Sequence, residues 1–334
     1  MASTNAAPFE GPEKKLKVTF AADAPSLRTL PRAAWDAVLG AAGASIVSAA
    51  GDARWDAYVL SESSLFVSDH SATLITCGQT RLVEAVQPLL ALCPAAALSQ
   101  LLYARKSEHF PAHQATRFDD DAALLERALG ARVQAGRLRL GQGAHFVDLF
   151  HAAAPGVGRR PDMTLEVLMH GPDPVACAAF AREQAPAAHA HVSAVGPGFA
   201  LHEHYFAPQG YSVNGLRDGA YLTLHVTPEP EGSYVSFELQ GPLGGTLPVD
   251  AVRAVAQLAA LFTPRSMEVL AYQPLPPEAS APTAASVARA GTPRAAAPQE
   301  LGADVPGYAV VARETHVAAD YQLVFTQLRP STAP

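Results

Sequence analysis

The chain has 334 residues, 49% of them hydrophobic, and is long enough to bury a sizeable core. Only 16% of the residues are charged, the formal net charge is -7 and there is no basic stripe, which argues against nucleic-acid binding. The three cysteines lack CxxC spacing, which argues against a disulfide scaffold and against a zinc signature. The sequence shows no apolar run of about 18 residues and no leader sequence, so we predict a cytoplasmic protein without membrane spans.

Alternating apolar and polar residues, many of them β-branched or aromatic, predict strands along most of the chain. In chain order the predicted strands are 17–20, 57–67, 72–76, 137–140, 144–150, 165–169, 220–226, 234–239, 267–272, 308–313 and 321–328. Helical spacing predicts helices at 81–92, 122–129, 174–183 and 251–262. This order favours an α+β fold with antiparallel sheets over a doubly wound one.

Two further features concern the organisation of the chain. Residues 57–92 and 220–262 both run strand, strand, helix, which is a faint sign of internal duplication. Residues 273–299 are rich in Pro, Ala and Ser and predict a flexible surface loop. Only about thirty ordered residues follow this loop, fewer than a domain needs, so we predict a single domain over 1–334.

Four segments carry groups capable of chemistry, and each also has a plain structural interpretation. The Ser-Glu-Ser-Ser core of YVLSESSLFVS interrupts an apolar strand, as a bulge or sheet edge would. The segment FEGPEKKLKV has the composition of a solvent-exposed segment that leads into a strand. A lone cysteine such as Cys77 is usually a core residue, although the N-terminus of a helix directly after it would lower the pKa of its thiol. His225 lies among Ser212, Glu229 and many Gly and Pro residues, and a lone strand histidine is more often structural.

Taken in order, these segments resemble the signature sequences of the eukaryotic-type S-adenosylmethionine decarboxylases: FEGPEKKL, YVLSESSLFVS, TCGQT, PDMTLEVLM and GYSVNG…HVTPEPEGSYVSFE. The resemblance covers about residues 9–272 and, more weakly, 321–328. It implies a four-layer α/β/β/α sandwich of two antiparallel sheets. It also implies an enzyme that decarboxylates S-adenosylmethionine for spermidine and spermine biosynthesis.

The resemblance further implies that the proenzyme cleaves itself between Glu62 and Ser63. The products would be a small chain, 1–62, and a large chain, 63–334, which stay together as partners. Ser63 would become a covalent pyruvoyl group, the only cofactor, which forms a Schiff base with the substrate amine.

The same resemblance assigns roles to four other residues. Ser212 and His225 match positions that act in processing, with His225 as the base. Glu13 matches a position that assists processing or catalysis. Cys77 matches the proton donor that reprotonates the substrate Cα after carbon dioxide leaves. No metal is implied.

Substrate recognition is implied by a second set of matching positions. Phe9 and Phe206 match the two rings that sandwich adenine, and rings near the sulfonium would add cation–π attraction. Glu229 matches the carboxylate that holds the ribose hydroxyls. The backbone of Leu65 matches the segment that reads the adenine edge, and Glu10 belongs to the same substrate-binding set.

A departure from the animal members concerns their activator, putrescine. Asp162, Glu166 and Glu238 match the acidic positions that bind it. Lys17, however, stands where animal members have Glu, and Ile75 replaces a Lys. A lysine ammonium in this acidic pocket would stand in for the diamine, which predicts putrescine independence, as in plant members. A homodimer and a monomer both stay open, and the altered positions favour the monomeric type.

Two alternative functions are weighed against this interpretation. The same self-processing fold could act on ornithine or arginine, but a small amino acid would not need the rings of Phe9 and Phe206. A non-catalytic binding partner would typically lose the processing serine or the proton donor, whereas Ser63 and Cys77 are both present.

Overall fold

The computed structural model describes residues 9–94, 97–157, 161–275 and 304–331, and these form two eight-stranded antiparallel sheets. The first sheet contains, in spatial order, β2 (Ile46–Gly51), β3 (Asp56–Leu60), β4 (Ser63–Val67), β5 (Ser71–Thr76), β1 (Lys14–Phe20), β6 (Leu98–Lys106), β8 (Val147–Ala153) and β7 (Gln134–Leu140). The second contains β10 (Ala200–Tyr205), β11 (Tyr211–Arg217), β12 (Ala220–Thr227), β13 (Tyr234–Gln240), β9 (Thr164–His170), β14 (Ser266–Pro274), β16 (Tyr321–Pro330) and β15 (Tyr308–Ala318).

The two sheets have the same strand order. Adding eight to each strand number of the first sheet gives the order of the second. The first half of the chain therefore builds one sheet and the second half repeats its topology, which confirms the predicted duplication.

Helices cover the outer face of each sheet. They are α1 (Arg32–Ala42), α2 (Val86–Leu90), α3 (Phe118–Leu129), α4 (Pro174–Ala178), α5 (Ala185–Val195) and α6 (Ala251–Phe262). Trp35 of α1 packs into the outer core of the first sheet, and Phe262 of α6 into that of the second. A third core, with Leu102 of β6 and Leu270 of β14, lies between the sheets. The predicted four-layer α/β/β/α sandwich is confirmed.

The largest difference from the predicted elements falls at 57–67. This segment is two strands, β3 and β4, because Leu60 pairs with Ser63 across a turn formed by Ser61 and Glu62. The alternation of apolar and polar side chains continues through such a turn, so this alternation predicts one long strand instead of two.

Other elements differ in extent. The helix predicted at 81–92 is a 3-10 turn, Leu82–Ala85, followed by the short α2, and the one predicted at 174–183 ends at Ala178. The helix predicted at 122–129 begins at Phe118. Six elements were not predicted: α1, α5, β2, β6, β10 and β11.

Two features of the C-terminal half remain. Asp250 caps α6, its side chain accepting hydrogen bonds from the backbone N–H groups of Val252 and Arg253. The loop predicted at 273–299 begins inside β14, and its residues from 276 onward lie outside the described part of the chain. Within the described ranges, no helix has the length and apolar character needed to cross a membrane.

Candidate active site

Ser63 lies at the start of β4 in a backbone conformation that L residues rarely adopt. Its φ angle is 143° and only 3% of its surface is exposed. A non-glycine residue held there stores about 1–3 kcal/mol of strain, which the surrounding sheet must impose. The tight turn at Ser61 and Glu62 therefore presents a strained Glu62–Ser63 peptide.

The carbonyl group of that peptide is polarised by Cys77. The Glu62 oxygen accepts a hydrogen bond from the Cys77 backbone N–H at 2.9 Å and one from the Cys77 thiol at 3.0 Å. Two donors aimed at one carbonyl oxygen stabilise negative charge that develops on it. Gly78, at φ +66°, makes room for the turn, because a Cβ there would lie 2.9 Å from Oε2 of Glu62.

His225 reaches across from β12 of the second sheet to the Ser63 side chain. Its Nε2 lies 3.0 Å from Ser63 Oγ, and its Nδ1 lies 2.7 Å from Oγ of Ser212, its partner on β11. Burial, with a smaller effect of Lys106, lowers the His225 pKa to about 3. The imidazole is therefore neutral near pH 7 and can accept a proton.

Three polar residues around His225 were not predicted. Thr223 Oγ1 lies 2.8 Å from Nε2, and Ser64 Oγ lies 3.4 Å from it. Ser64 also donates to Asn214 Oδ1 at 2.7 Å. Asn214 and Thr223 were detectable only through alternation along β11 and β12, which places residues 212 and 214, and residues 223 and 225, on one face.

The expectation of a lowered thiol pKa at Cys77 is wrong. Burial is the main cause, and the Glu62 and Glu13 carboxylates add to it, so the Cys77 pKa is raised well above its ordinary value. The segment after Cys77 is not helical until Leu82, so no helix N-terminus offsets these effects. The thiol stays protonated near neutral pH, which suits a proton donor better than a nucleophile.

Glu13 and Glu10 are both buried but lie in different surroundings. Glu13 Oε1 accepts from Ser236 Oγ at 2.6 Å, and burial raises the Glu13 pKa. Glu10 accepts from the backbone N–H groups of His109 and Phe110 at 2.9 and 2.8 Å, and burial raises its pKa as well. The Glu10 carboxylate therefore holds a loop of the first sheet.

The residues predicted to bind substrate are not all brought to one cleft. Phe206 and Glu229 line a cleft of about 870 Å³ whose walls also include Cys177 and Phe180, on the helix side of the second sheet. Phe9 is 38% exposed and lies near Gly78 instead. Leu65 is fully buried within β4, where it pairs with β3 on one side and β5 on the other.

Lysines of β1 occupy the acidic positions between the sheets. Lys17 Nζ contacts both oxygens of Asp162, at 2.5 and 2.7 Å, but Glu166 and Glu238 are not its partners. Lys15, which was not predicted, contacts Glu166 at 2.6 Å and Glu238 at 2.7 Å. Alternation along β1 was the missed signal, because it places residues 15 and 17 on the same face.

These buried charges neutralise one another. Lys106 lies 3.1 Å from Glu166 and 3.5 Å from Glu13. Burial opposes ionisation of Glu166, but Lys106 and Lys15 hold its pKa at about 2. Burial likewise opposes ionisation of Lys15, but Glu166 and Glu238 raise its pKa. The chain thus supplies its own cations to the acidic pocket.

Comparison with known proteins gives a consistent result. The family model for adenosylmethionine decarboxylase matches residues 6–329. A Xenopus laevis protein called S-adenosylmethionine decarboxylase proenzyme is 36% identical over 250 residues, covering 69% of this chain and 74% of the relative. An Ipomoea nil protein of the same name is 32% identical over 288 residues, covering 80% and 79%. The crystal structure of the Trypanosoma brucei AdoMetDC-delta26 monomer shares the fold, with a TM-score of 0.58, 20% identity and coverage of 80% of this chain and 99% of that one.

Proposed function

The chain belongs to the adenosylmethionine decarboxylase family, and we propose that it decarboxylates S-adenosylmethionine with a pyruvoyl group made from its own Ser63. The product would be decarboxylated S-adenosylmethionine for polyamine biosynthesis. The observation that carries the proposal is the contact of Ser63 Oγ with Nε2 of the neutral His225 at 3.0 Å, beside a Glu62 carbonyl held by Cys77.

Cleavage begins with the hydroxyl group of Ser63. Oγ gives its proton to His225 and attacks the carbonyl carbon of Glu62. The Cys77 N–H stabilises the negative charge on the carbonyl oxygen. The C–N bond then breaks, a proton returns to the Ser63 nitrogen, and an ester joins Glu62 to Oγ. Breaking the peptide also relieves the strain at Ser63.

Elimination completes the cleavage. His225 removes the Cα proton of Ser63, the C–O bond to Oγ breaks, and Glu62 leaves with a free carboxylate as the C-terminus of the small chain. Water then displaces the nitrogen of the dehydroalanine as ammonia. The large chain is left with a keto group at residue 63.

In turnover, the pyruvoyl group supplies the electron sink that the loss of carbon dioxide requires. Cys77 lies next to the position of the reacting group, since its thiol contacts the Glu62 carbonyl. Because its pKa is raised by burial, the thiol holds a proton to deliver to the substrate Cα.

The remaining site residues are proposed to hold substrate. Phe206, in the cleft, and Phe9, beside Gly78, offer partly exposed rings from two separate places for the adenine and the sulfonium. Glu229 offers a carboxylate for the ribose hydroxyls from the same cleft wall as Phe206. Glu10 contributes indirectly by ordering the loop at His109 and Phe110.

Intact mass spectrometry of freshly purified protein tests the proposal. We expect two chains, 1–62 and 63–334, with a blocked large-chain N-terminus that reacts with a carbonyl reagent. The cleaved enzyme should release carbon dioxide from S-adenosylmethionine and not from ornithine or arginine. A single uncut chain with intact Ser63, which no added diamine induces to cleave, contradicts the proposal.

We also propose that the enzyme works without putrescine. Lys15 bridges Glu166 and Glu238, and Lys17 pairs with Asp162, so the acidic pocket holds ammonium groups of the chain itself. Putrescine should change the wild-type rate by less than about twofold. Strong stimulation would contradict this part of the proposal.

Replacing Lys15 tests putrescine independence more directly. Lys15→Met removes the cation between two buried carboxylates, an imbalance that costs about 3–5 kcal/mol. We expect this variant to be slow alone and to regain activity with millimolar putrescine. Arg32→Met, which removes an exposed cation on α1, should respond to putrescine as the wild type does. A Lys15→Met enzyme that is fully active without putrescine would show that this lysine does not replace it.

A further inference from the structure

A strap of residues 107–117 crosses from the first sheet to the second. It runs from the end of β6 to the start of α3, and His109 and Phe110 within it are partly buried. The backbone N–H groups of these two residues donate to the two oxygens of the Glu10 carboxylate, at 2.9 and 2.8 Å. Because Glu10 directly follows Phe9, the strap is fixed beside the first of the two places that offer a ring for the substrate.

Two side chains of the strap reach the second place, the cleft. His109 Nδ1 lies 2.9 Å from the carbonyl oxygen of Gly232, and this nitrogen must donate because a carbonyl oxygen only accepts. The Phe110 ring packs on the same glycine, since a Cβ there would lie 3.1 Å from Phe110 Cε2 and 2.8 Å from His109 Nδ1. Gly232 lines the cleft together with Phe206 and Glu229. The strap therefore contacts both places.

The glycine that the strap holds belongs to the same turn as Glu229. This turn joins β12 to β13, and residues 230–231 at its tip are exposed. On the β12 side the Glu229 backbone N–H donates to the Thr227 carbonyl oxygen at 3.1 Å, and on the β13 side His109 holds Gly232. Without the His109 contact, the Glu229 carboxylate would have more conformations to lose when it binds a ligand, which weakens binding.

The two places adjoin each other where the sheets face. A Cβ on Gly11 would lie 2.7 Å from Cβ of Tyr234, the first residue of β13. Gly11 directly follows Glu10, and Tyr234 comes two residues after Gly232. The strap thus lies at a junction between the segment that carries Phe9 and the turn that carries the ribose-binding carboxylate of the proposed site.

We propose that His109 is a positioning residue of the substrate site, which holds the Glu229 turn against the Glu10 segment through its bond to Gly232. The inference rests on the proposed function, because it takes S-adenosylmethionine as the ligand of that turn. Within the described ranges, the His109 ring does not contact Ser63. It should therefore affect substrate binding, and neither self-cleavage nor the chemical step.

The two ring nitrogens can be tested separately. Nε2 lies 3.0 Å from Nδ1 of His170, at the end of β9, and does not contact the turn. An asparagine amide nitrogen takes the place of Nδ1, and a glutamine amide nitrogen takes the place of Nε2. His109→Asn should keep the bond to Gly232 and a KM near that of the wild type. His109→Gln and His109→Phe should raise the KM for S-adenosylmethionine about three- to tenfold, with kcat changed less than about twofold.

Coupling to Glu229 separates positioning from a general loss of stability. Glu229→Gln should raise KM by itself, and His109→Phe should then add less than about twofold, because both substitutions weaken the same substrate contact. His202→Phe, the same change at an exposed histidine of β10, should leave KM unchanged in either background. Fully additive effects of His109→Phe and Glu229→Gln on KM would mean that His109 does not act through this turn.

The variants are expected to fold, because the bonds that fix the strap to Glu10 come from backbone N–H groups. Thermal unfolding and the extent of cleavage between residues 62 and 63 check this before kinetics. A wild-type chain that neither cleaves nor releases carbon dioxide contradicts the proposed function, and this inference with it. A cleaved His109→Phe enzyme with wild-type KM overturns the positioning role alone, and so does a His109→Gln enzyme that binds substrate better than His109→Asn.

Discussion

Ser63→Ala is expected to give one uncut chain of 34.9 kDa with no measurable decarboxylase activity. Without Oγ there is no nucleophile for the Glu62 carbonyl and no source of the keto group. Turnover should therefore fall by at least about 10⁶-fold, the low end of enzymatic rate enhancement. Intact mass spectrometry and carbon dioxide release from S-adenosylmethionine measure the two effects.

Ser61→Ala is the control for this substitution, because Ser61 flanks Glu62 on the other side of the same turn. Its Oγ accepts from the Ser45 backbone N–H and does not contact His225 in the described structure, so cleavage should proceed. Ser64 is excluded as nucleophile by its position, since it does not follow the scissile carbonyl. Cleavage of Ser63→Ala between residues 62 and 63 would rule out the proposed mechanism.

The fold was predictable from the sequence to the extent that side chains alternate between two environments. Strands such as β13 and β16 were found because their alternating or apolar runs are long and end at turn residues. The unpredicted β6 is buried along its whole length, with Arg105 and Lys106 held in ion pairs, so its buried charges hid it. β10 is a partly exposed edge strand, and its polar residues do not alternate cleanly with apolar ones.

The site was predictable only through resemblance to a family. Ser63 and His225 are 162 residues apart, and no spacing rule joins them. Nor could the sequence show that Cys77 is buried beside carboxylates, which raises its pKa where a helix N-terminus would have lowered it. Which carboxylates Lys15 and Lys17 contact depends on how the two sheets are aligned with each other, and local sequence does not encode that alignment.

Cys77→Ser is expected to separate cleavage from turnover. The backbone N–H of residue 77, which polarises the Glu62 carbonyl, is unaffected, so the chain should still divide between residues 62 and 63, although more slowly. Decarboxylation should fall by about 10²–10⁴-fold, the usual contribution of a positioned proton donor, because a serine hydroxyl is a much weaker acid than a thiol. Gel analysis gives the extent of cleavage, and kcat is measured on the cleaved fraction.

A second readout distinguishes loss of proton donation from a merely structural effect. If residue 77 does not protonate the substrate Cα, the proton goes instead to Cα of residue 63, and water then releases the substrate remnant as an aldehyde and leaves its amine on residue 63. The large chain then begins with alanine, which N-terminal sequencing detects after turnover and not before. Cys93→Ser, the same change in the outer core of the first sheet, should lose stability and keep a blocked N-terminus. A cleaved Cys77→Ser enzyme with wild-type kcat would mean that another group donates the proton, and the raised pKa of Cys77 would then have no catalytic use.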